Sequence, residues 1–575
     1  MKRRNLIVIT TLICILLLSV TAFAEPTAAE TNAARFGIWT IIPPLVAIIL
    51  AFITKNVILS LFIGVFSGTF LLQLNGFNVG SAFVGGFLDI INRIIESLSD
   101  PWNAGIILQC LTIGGLIALI SKMGGARAIA ESLAKKAKSP TSAQIITWLM
   151  GLFIFFDDYA NSLIVGPIMR PITDKMKISR EKLSFIVDAT AAPIAGIALI
   201  STWVGLEISL IRDGYLSIGQ EVNAYGIFIS TIPYRFYNIL MLLFVVITAV
   251  LVKEFGPMLK AERRARATGK VMADSSKSAA FSEDKSLEPK EGIKLSIWNA
   301  IIPIGTLIVF AFIGFYFNGY QAIMVGEDAA LIELLQNSPL SFVSIRETFG
   351  NSDASIVLFQ AALLASIVAV VMAVAQKILT VSEALDTWVD GMKSLVITGV
   401  ILLLAWSLSS VIKELGTAAF LVSALSSTIP KFLLPSIIFI LGSIISFATG
   451  TSYGTMGILM PLAIPLAHAI SPDATFIVAN VGAVLTGAIF GDHCSPISDT
   501  TILSSMGSGC DHIDHVKTQL WYSLTVGAIT ILFGYIPAGL GLPIFIVLPV
   551  AMVAVWATVY FFGKSPEVPE KAKAA

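Results

Sequence analysis

Asp157 and Asp158 stand side by side in FIFFDDYANS (153–162), directly after an apolar run that begins near Ile145. An ionised carboxylate inside a bilayer is expensive. Two of them, followed within a turn by Asn161 and Ser162, read as a cluster of hard oxygen ligands for a cation. On a helix Asp157 and Asn161 would share one face, and Asp158 and Ser162 the next. The plainer reading is one aspartate capping a helix after a turn. A second oxygen-rich stretch, SFATGTSYGT (446–455), offers Thr449, Thr451, Ser452 and Thr455, with Gly450 and Gly454 where the backbone can open. Its small residues would equally serve close helix packing. The densest motif is GDHCSPISDTT (491–501), which sets Asp492, His493, Ser495, Ser498, Asp499 and Thr500 around Pro496. Gly491 and Pro496 argue against one continuous helix there; the alternative is a loop at the membrane surface. Asp188 in FIVDATAAP and Glu207 in TWVGLEISLI are secondary candidates, and either could instead be a paired structural charge. Asp511, His512, Asp514 and His515 read as an aqueous loop before a span rather than a metal cluster.

Oxygen ligands suit a hard cation such as Na⁺. A carboxylate taken out of water can be neutralised by a proton or by Na⁺, each excluding the other. That competition, with a site that opens alternately to the two sides, is sufficient for Na⁺/H⁺ exchange. No GxxxxGK[ST] phosphate loop is present, so an ion gradient would drive transport. No cofactor is expected beyond the transported Na⁺ and H⁺. HExxH and G-x-S-x-G are absent, which leaves an intramembrane hydrolase as a remote alternative; the chain is read as a transporter, not an enzyme. A Na⁺- or H⁺-coupled carboxylate or amino-acid carrier stays open. It would want a cationic residue near the midplane, where Arg170 and Arg212 are the nearest candidates, although both look like segment-end residues. Hydroxyl and amide groups with half-helix N-termini could also hold a carboxylate.

The elements that must position these groups follow from composition. The 575 residues are 56% hydrophobic and only 13% charged, with mean hydropathy +0.86. A soluble chain carries about 25% charged residues. The expectation is an all-α polytopic membrane protein of roughly a dozen spans. Lys plus Arg (37) equal Asp plus Glu (37), which argues against a nucleic-acid partner. The four cysteines form no CxxC pair and read as apolar filler. Residues 1–24 resemble a signal peptide, with Lys2–Arg4, an apolar core and Ala22-Phe23-Ala24 before Glu25; an uncleaved helix is the alternative. Residues 253–295, with Arg263, Arg264, Arg266 and Lys270, read as a solvated cytoplasmic linker. Four apolar regions, 143–169, 185–211, 432–470 and 476–503, are broken by Pro, Gly and polar residues.

The chain repeats itself. YANSLIVGPIMRP (159–171) pairs with YGTMGILMPLAIP (453–465), SFIVDATAAPIAGIAL (184–199) with TFIVANVGAVLTGAIF (475–490), and WTIIP (39–43) with WNAIIP (298–303). Three matches in one order argue for duplication: a first repeat over 37–252, a second over 296–541 and an extra C-terminal helix at 543–562. Loop 122–138 is strongly basic and its counterpart 413–431 is not, so the repeats are expected to be inverted.

Residues 155–193 and 490–505 closely resemble the NhaC-type Na⁺/H⁺ antiporters of the ion-transporter superfamily, and the resemblance extends over most of 37–560. It implies a multi-pass carrier of the bacterial inner membrane with paired re-entrant hairpins, exchanging Na⁺ for H⁺, although some relatives are thought to exchange carboxylates. A homodimer is among the expected states. Carried onto this chain, the implied functional residues are Asp157, Asp158, Asn161, Asp492, His493, Ser495, Ser498 and Asp499.

Overall fold

The computed structural model describes residues 28–54, 56–74, 78–273, 289–290, 292–417, 420 and 429–567; the signal-like segment lies outside them. Among the described residues the protein is all-helical, and its one β-type contact is an isolated bridge between Glu254 and Lys564. Among the described residues ten helices are long and apolar enough to cross a membrane, or eleven if the bent pair Ala224–Tyr234 and Phe236–Leu251 forms one span. The chain is a polytopic membrane protein.

All four regions expected to be broken are broken, each for a local reason. After α1 (Pro101–Lys122), helix α2 (Pro140–Phe153) starts on a reciprocal Ser139–Ser142 cap and ends at Ile154. The chain then turns through Phe155 and Phe156, and α3 (Asp158–Lys175) restarts with Asp157 as its N-cap. Asp157 Oδ1 accepts the Ala160 N–H at 2.7 Å. Helix α4 (Arg180–Ala189) stops at Thr190, shortly before Pro193, which has no N–H to continue the ladder. An irregular stretch follows as far as α5 (Val204–Ser217), and α6 (Phe236–Leu251) lies beyond the bend.

The second half has a similar order of elements. Helix α8 (Val381–Ser394) precedes α9 (Leu434–Thr449), which ends on Gly450 at φ +66°. A side chain at Gly450 would be strained by that φ and would also meet the Ile497 carbonyl at 2.6 Å. Helix α10 (Ser452–Ile470) then begins. Here the halves differ: α11 (Ala474–Cys494) runs unbroken past the point where α4 stops, because Val484 takes the place of Pro193 in the repeat alignment. Its break comes later, at 495–498, before α12 (Asp499–Ser508) and α13 (His512–Ile529).

Small residues bring these pieces to backbone contact across the two halves. A Cβ on Gly166 of α3 would lie 2.6 Å from the Gly507 carbonyl carbon of α12, and one on Gly507 would lie 2.6 Å from the Ser162 carbonyl. Within the second half, α9 and α11 approach through Gly442, Gly487 and Gly491 in the same way.

The segment after α6 is not the bare linker expected. Residues Gly256–Thr268 form helix α7, followed by the undescribed stretch 274–288. Its charges read as solvent-facing in the sequence, yet several are buried and paired. Glu254 meets Lys182 at 2.9 Å and receives the Tyr522 hydroxyl. Glu262 accepts the Ser179 N–H at 2.7 Å, and burial beside Glu254 pushes its carboxyl above the usual range. Arg264 reaches Glu181 at 2.9 Å. The last helix, Ile544–Phe562, packs on α6, and Lys253 Nζ donates to the Tyr560 carbonyl at 2.6 Å.

The Gly166–Gly507 contact yields a stability prediction. Gly166→Ala forces two backbones apart, and such overpacking costs typically ~1–3 kcal/mol. Gly80→Ala, where nothing lies within 4 Å of the new methyl, serves as the control. Thermal unfolding in detergent should show a lower midpoint for Gly166→Ala and none for Gly80→Ala.

Candidate cation site

The breaks meet at one cavity of about 720 Å³. Asp157 and Asp158 enter it from the α2–α3 break, Thr451, Ser452 and Tyr453 from the α9–α10 break, and Asp492, Asp499 and Thr500 from the α11–α12 break. Thr202 and Trp203 come from the irregular stretch before α5. Asp157, Asp158 and Asp492 are each less than 10% exposed. Towards its mouth the same cavity is lined by Lys122, Lys290, Glu383 and Asp390, where Lys290 and Glu383 pair at 2.8 Å and both are substantially exposed.

Hydrogen bonds across the breaks hold this geometry. Ser452 Oγ donates to Asp492 Oδ2 at 2.8 Å, and the Tyr159 hydroxyl donates to Asp499 Oδ2 at 3.2 Å. The Thr202 N–H donates to the Phe156 carbonyl at 3.1 Å, and the Tyr453 hydroxyl to the Thr202 carbonyl at 3.4 Å. Trp203 and Tyr453 pack edge to face, with centroids 4.9 Å apart. Each half thus fixes the other half's break.

The electrostatics favour a cation. Three helix N-termini begin at the cavity, at Asp158, Ser452 and Asp499. Each carries roughly half a positive charge, and the C-terminal ends of α2, α9 and α11 at the same breaks carry the opposite, so the helix ends favour the acid nearest each N-terminus without offsetting the four carboxylate charges as a group. Among the described residues no lysine or arginine forms an ion pair with Asp157, Asp158, Asp492 or Asp499. Arg212 instead lies over the Trp102 ring and 3.8 Å from Asp100. Neither it nor Arg170 lines the cavity.

Of the residues singled out in the sequence, the cavity gathers Asp157, Asp158, Gly450, Thr451, Ser452, Asp492, Asp499 and Thr500. The others stand behind it. Asn161 Nδ2 donates to the Gly151 and Thr190 carbonyls at 2.9 and 2.7 Å, tying α3 to the ends of α2 and α4. Ser162 bonds Ser504 at 3.0 Å. Thr449 and Thr455 bond carbonyls of their own turns. Ser495 donates to the Phe447 carbonyl, and Ser498 lies 3.0 Å from Thr500 Oγ1. His493 points away, its Nδ1 2.7 Å from the Tyr237 hydroxyl. Glu207 is fully buried against Arg235 at 2.9 Å, which makes it a structural pair. Asp188 is fully buried outside the cavity. His515, expected in an aqueous loop, is fully buried in the first turns of α13.

Trp203, Thr202, Tyr453 and Tyr159 were not among the candidates. The repeat alignment of Tyr159 with Tyr453 was the available signal for the tyrosines. Nothing in TWVGLEISLI marks Trp203, whose place depends on the irregular stretch that follows α4.

The chain matches the Na⁺/H⁺ antiporter family over residues 5–198 and 194–540. It belongs to that family. An uncharacterized protein of Haemophilus influenzae is 34% identical over 506 residues, covering 88% of this chain and 91% of that one. A malate-2H⁺/Na⁺-lactate antiporter of Bacillus subtilis is 38% identical over 104 residues, covering 17% of this chain and 22% of that one. The YdaH transporter of Alcanivorax borkumensis has a similar fold, with TM-score 0.52 at 14% identity, over 87% of this chain and 99% of that chain. Membership makes this a multi-pass transporter of the bacterial plasma membrane rather than an enzyme, as the motifs at 155–193 and 490–505 implied.

The cap and the charge of Asp157 can be separated. Asn caps a helix about as well as Asp, whereas Ala loses ~1 kcal/mol. Asp157→Ala should therefore lower the unfolding midpoint in Na⁺-free detergent, and Asp157→Asn should leave it unchanged.

Proposed function

We propose that this antiporter-family protein exchanges Na⁺ for H⁺ at Asp157, Asp158 and Asp492, with Asp499 at the approach. The observation that carries this reading is the convergence of four carboxylates from both halves on one cavity, with no lysine or arginine paired to them among the described residues. A cation completes the charge balance there; so does a proton, and the two compete for the same oxygens. Ser452, Thr451 and the opened backbone at Gly450 supply neutral ligands. No resident cofactor enters the scheme.

The cavity mouth, at Lys122 and Lys290, lies on the side of the basic loop 122–138 and of α7. The positive-inside rule places that side in the cytoplasm, so this conformation corresponds to the inward-open state. The outward-open state would follow from an inverted relation between 37–252 and 296–541, with α2–α3 and α9–α10 as paired re-entrant hairpins that rock about the site.

A second reading, coupled carboxylate exchange, is favoured by the Bacillus subtilis relative, a malate-2H⁺/Na⁺-lactate antiporter, and by the three helix N-termini, which could hold an anion. The acids already at those termini weigh against it.

Proteoliposomes carrying a pH-sensitive dye discriminate the two. Addition of Na⁺ alone should dissipate an imposed ΔpH, and Asp157→Asn should abolish the response while keeping its fold. A requirement for malate, lactate or an amino acid would overturn the Na⁺/H⁺ reading. Na⁺ should also raise the unfolding midpoint of the wild type, by the equivalent of about 2.7 kcal/mol at a hundred times its Kd, and leave Asp157→Asn unmoved.

A further inference from the structure

Behind the cavity a second polar cluster is built into the contact of α4, α12 and α13, and the cation site uses none of it. At its centre is Asp188, fully buried. Its Oδ2 accepts from Gln519 Nε2 at 2.6 Å and its Oδ1 from Ser504 Oγ at 3.3 Å. Ser504 in turn lies 3.0 Å from Ser162 of α3. Among the described residues no lysine or arginine pairs with Asp188. The ionisable groups that face it are His515 of α13, at 3.9 Å, Asp492, His493 and Cys494 of α11, and Tyr237 of α6. Helix α2 has no ionisable residue, and those of α7 meet only the first turn of α4.

The hydrogen-bond roles are fixed by elimination. Gln519 Nε2 donates both to Asp188 and to the His493 carbonyl, so its Oε1 is an acceptor and takes the Nε2–H of His515 at 2.7 Å. The other nitrogen of a neutral His515, Nδ1, is then an acceptor, with Ser505 Oγ 2.8 Å and Ser184 Oγ 3.0 Å away; Ser505 Oγ also donates to the Thr501 carbonyl at 2.7 Å, a bond it gives up when it turns to His515. Ser505 also lies 3.1 Å from His512 Nδ1, and His512 Nε2 donates to the Pro496 carbonyl at 2.7 Å. His512 is partly exposed, at the start of α13.

We propose that Asp188 binds a proton separately from the cation cavity, and that His512, Ser505 and His515 are its route to water. This rests on the reading of the protein as a Na⁺/H⁺ exchanger, and makes the cycling of Asp188 between its charged and protonated forms a requirement for the proton's turn at the cavity. A proton taken up by His512 makes Nδ1 a donor to Ser505. The Ser505 hydroxyl then turns its own proton to His515 Nδ1. His515 turns its Nε2–H away from Gln519 Oε1 and releases that proton to Asp188 Oδ2, 3.9 Å away in this conformation. The balance is one proton lost by His512 and one gained by Asp188. Ser505 ends with one proton, and His515 ends neutral in the opposite tautomer. The proton arrives at Oδ2, and a carboxyl neutralised there is a weaker acceptor at Oδ1, which frees the Ser504 hydroxyl to turn towards Ser162 on α3, one turn beyond Asp158. Proton occupancy behind the cavity is thereby transmitted to the helix that presents the aspartate pair.

The test is flux in proteoliposomes with Asp188→Asn, which keeps the shape and the Ser504 contact. Two rates are read: ²²Na⁺/Na⁺ counterflow, which needs no proton, and Na⁺-driven H⁺ flux. Asp188→Asn should retain counterflow and lose H⁺ flux by at least tenfold. His512→Ala should slow H⁺ flux severalfold and flatten its pH profile, with counterflow unchanged. Wild-type H⁺ flux in a folded Asp188→Asn protein overturns the proposal, and so does loss of both fluxes. If Asp188→Asn does not fold, Ser505→Ala and His512→Ala decide: an unaltered H⁺ flux in both overturns the route. Failure of the exchange reading itself looks different, because the wild type would then show no Na⁺-driven H⁺ flux.

Discussion

Everything in the centre of this protein answers to the cost of holding carboxylates out of water. Asp157, Asp158 and Asp492 are buried, and among the described residues no basic side chain pairs with them; a low-dielectric interior does not tolerate such a group uncompensated. The compensation comes from the backbone. Helices that break and restart at the cavity turn their N-termini and free N–H groups towards the acids. A continuous helix could not do this, because its dipole ends at the membrane surface. The breaks at 154–157, 450–451 and 495–498 are therefore consequences of the charge as much as of the local sequence.

A broken helix exposes backbone polar groups that lipid cannot satisfy. Here they are satisfied by neighbours. Asn161 bonds carbonyls at the ends of α2 and α4, Ser495 bonds Phe447, and Thr202 bonds Phe156. These short side chains reach only because the helices touch at glycine, as at Gly166–Gly507 and Gly442–Gly487. Close approach and polar satisfaction are one solution, and most of the hydroxyls at the centre serve it rather than a transported ion.

That division explains what could be read from the sequence. The broken regions were legible because Pro, Gly and paired acids are rare in apolar runs, and Asp157, Asp158 and Asp492 were legible as charges that a bilayer resists. Which oxygen faces the cavity was not. Asn161 and Ser162 share faces with the aspartates in a helical projection, yet Asn161 turns back to the breaks and Ser162 to α12. Ser452 and Thr455 are equally polar, and only the first reaches Asp492. His515 looked aqueous because its sequence neighbours are polar; it is buried because α4 and α12 cover it. Charge composition likewise concealed α7 and the turn before it, where Glu262 and Glu254 are drawn inward by the Ser179 amide and Lys182.

The last described helix, Ile544–Phe562, does more than span the membrane. It is largely lipid-facing, and its end carries Trp556 and Tyr560, each 44% exposed, residues that settle at the headgroup level. Immediately beyond, Lys564 joins Glu254 through two backbone bonds of 2.9 Å, and Lys253 lies over the Tyr560 ring. The waterline of the molecule is thus set by aromatic residues at its far C-terminal end and handed directly to the segment that clasps α4. A change in bilayer thickness would pull on that clasp, so lipid chain length reaches the helix bearing Asp188 without touching the cavity.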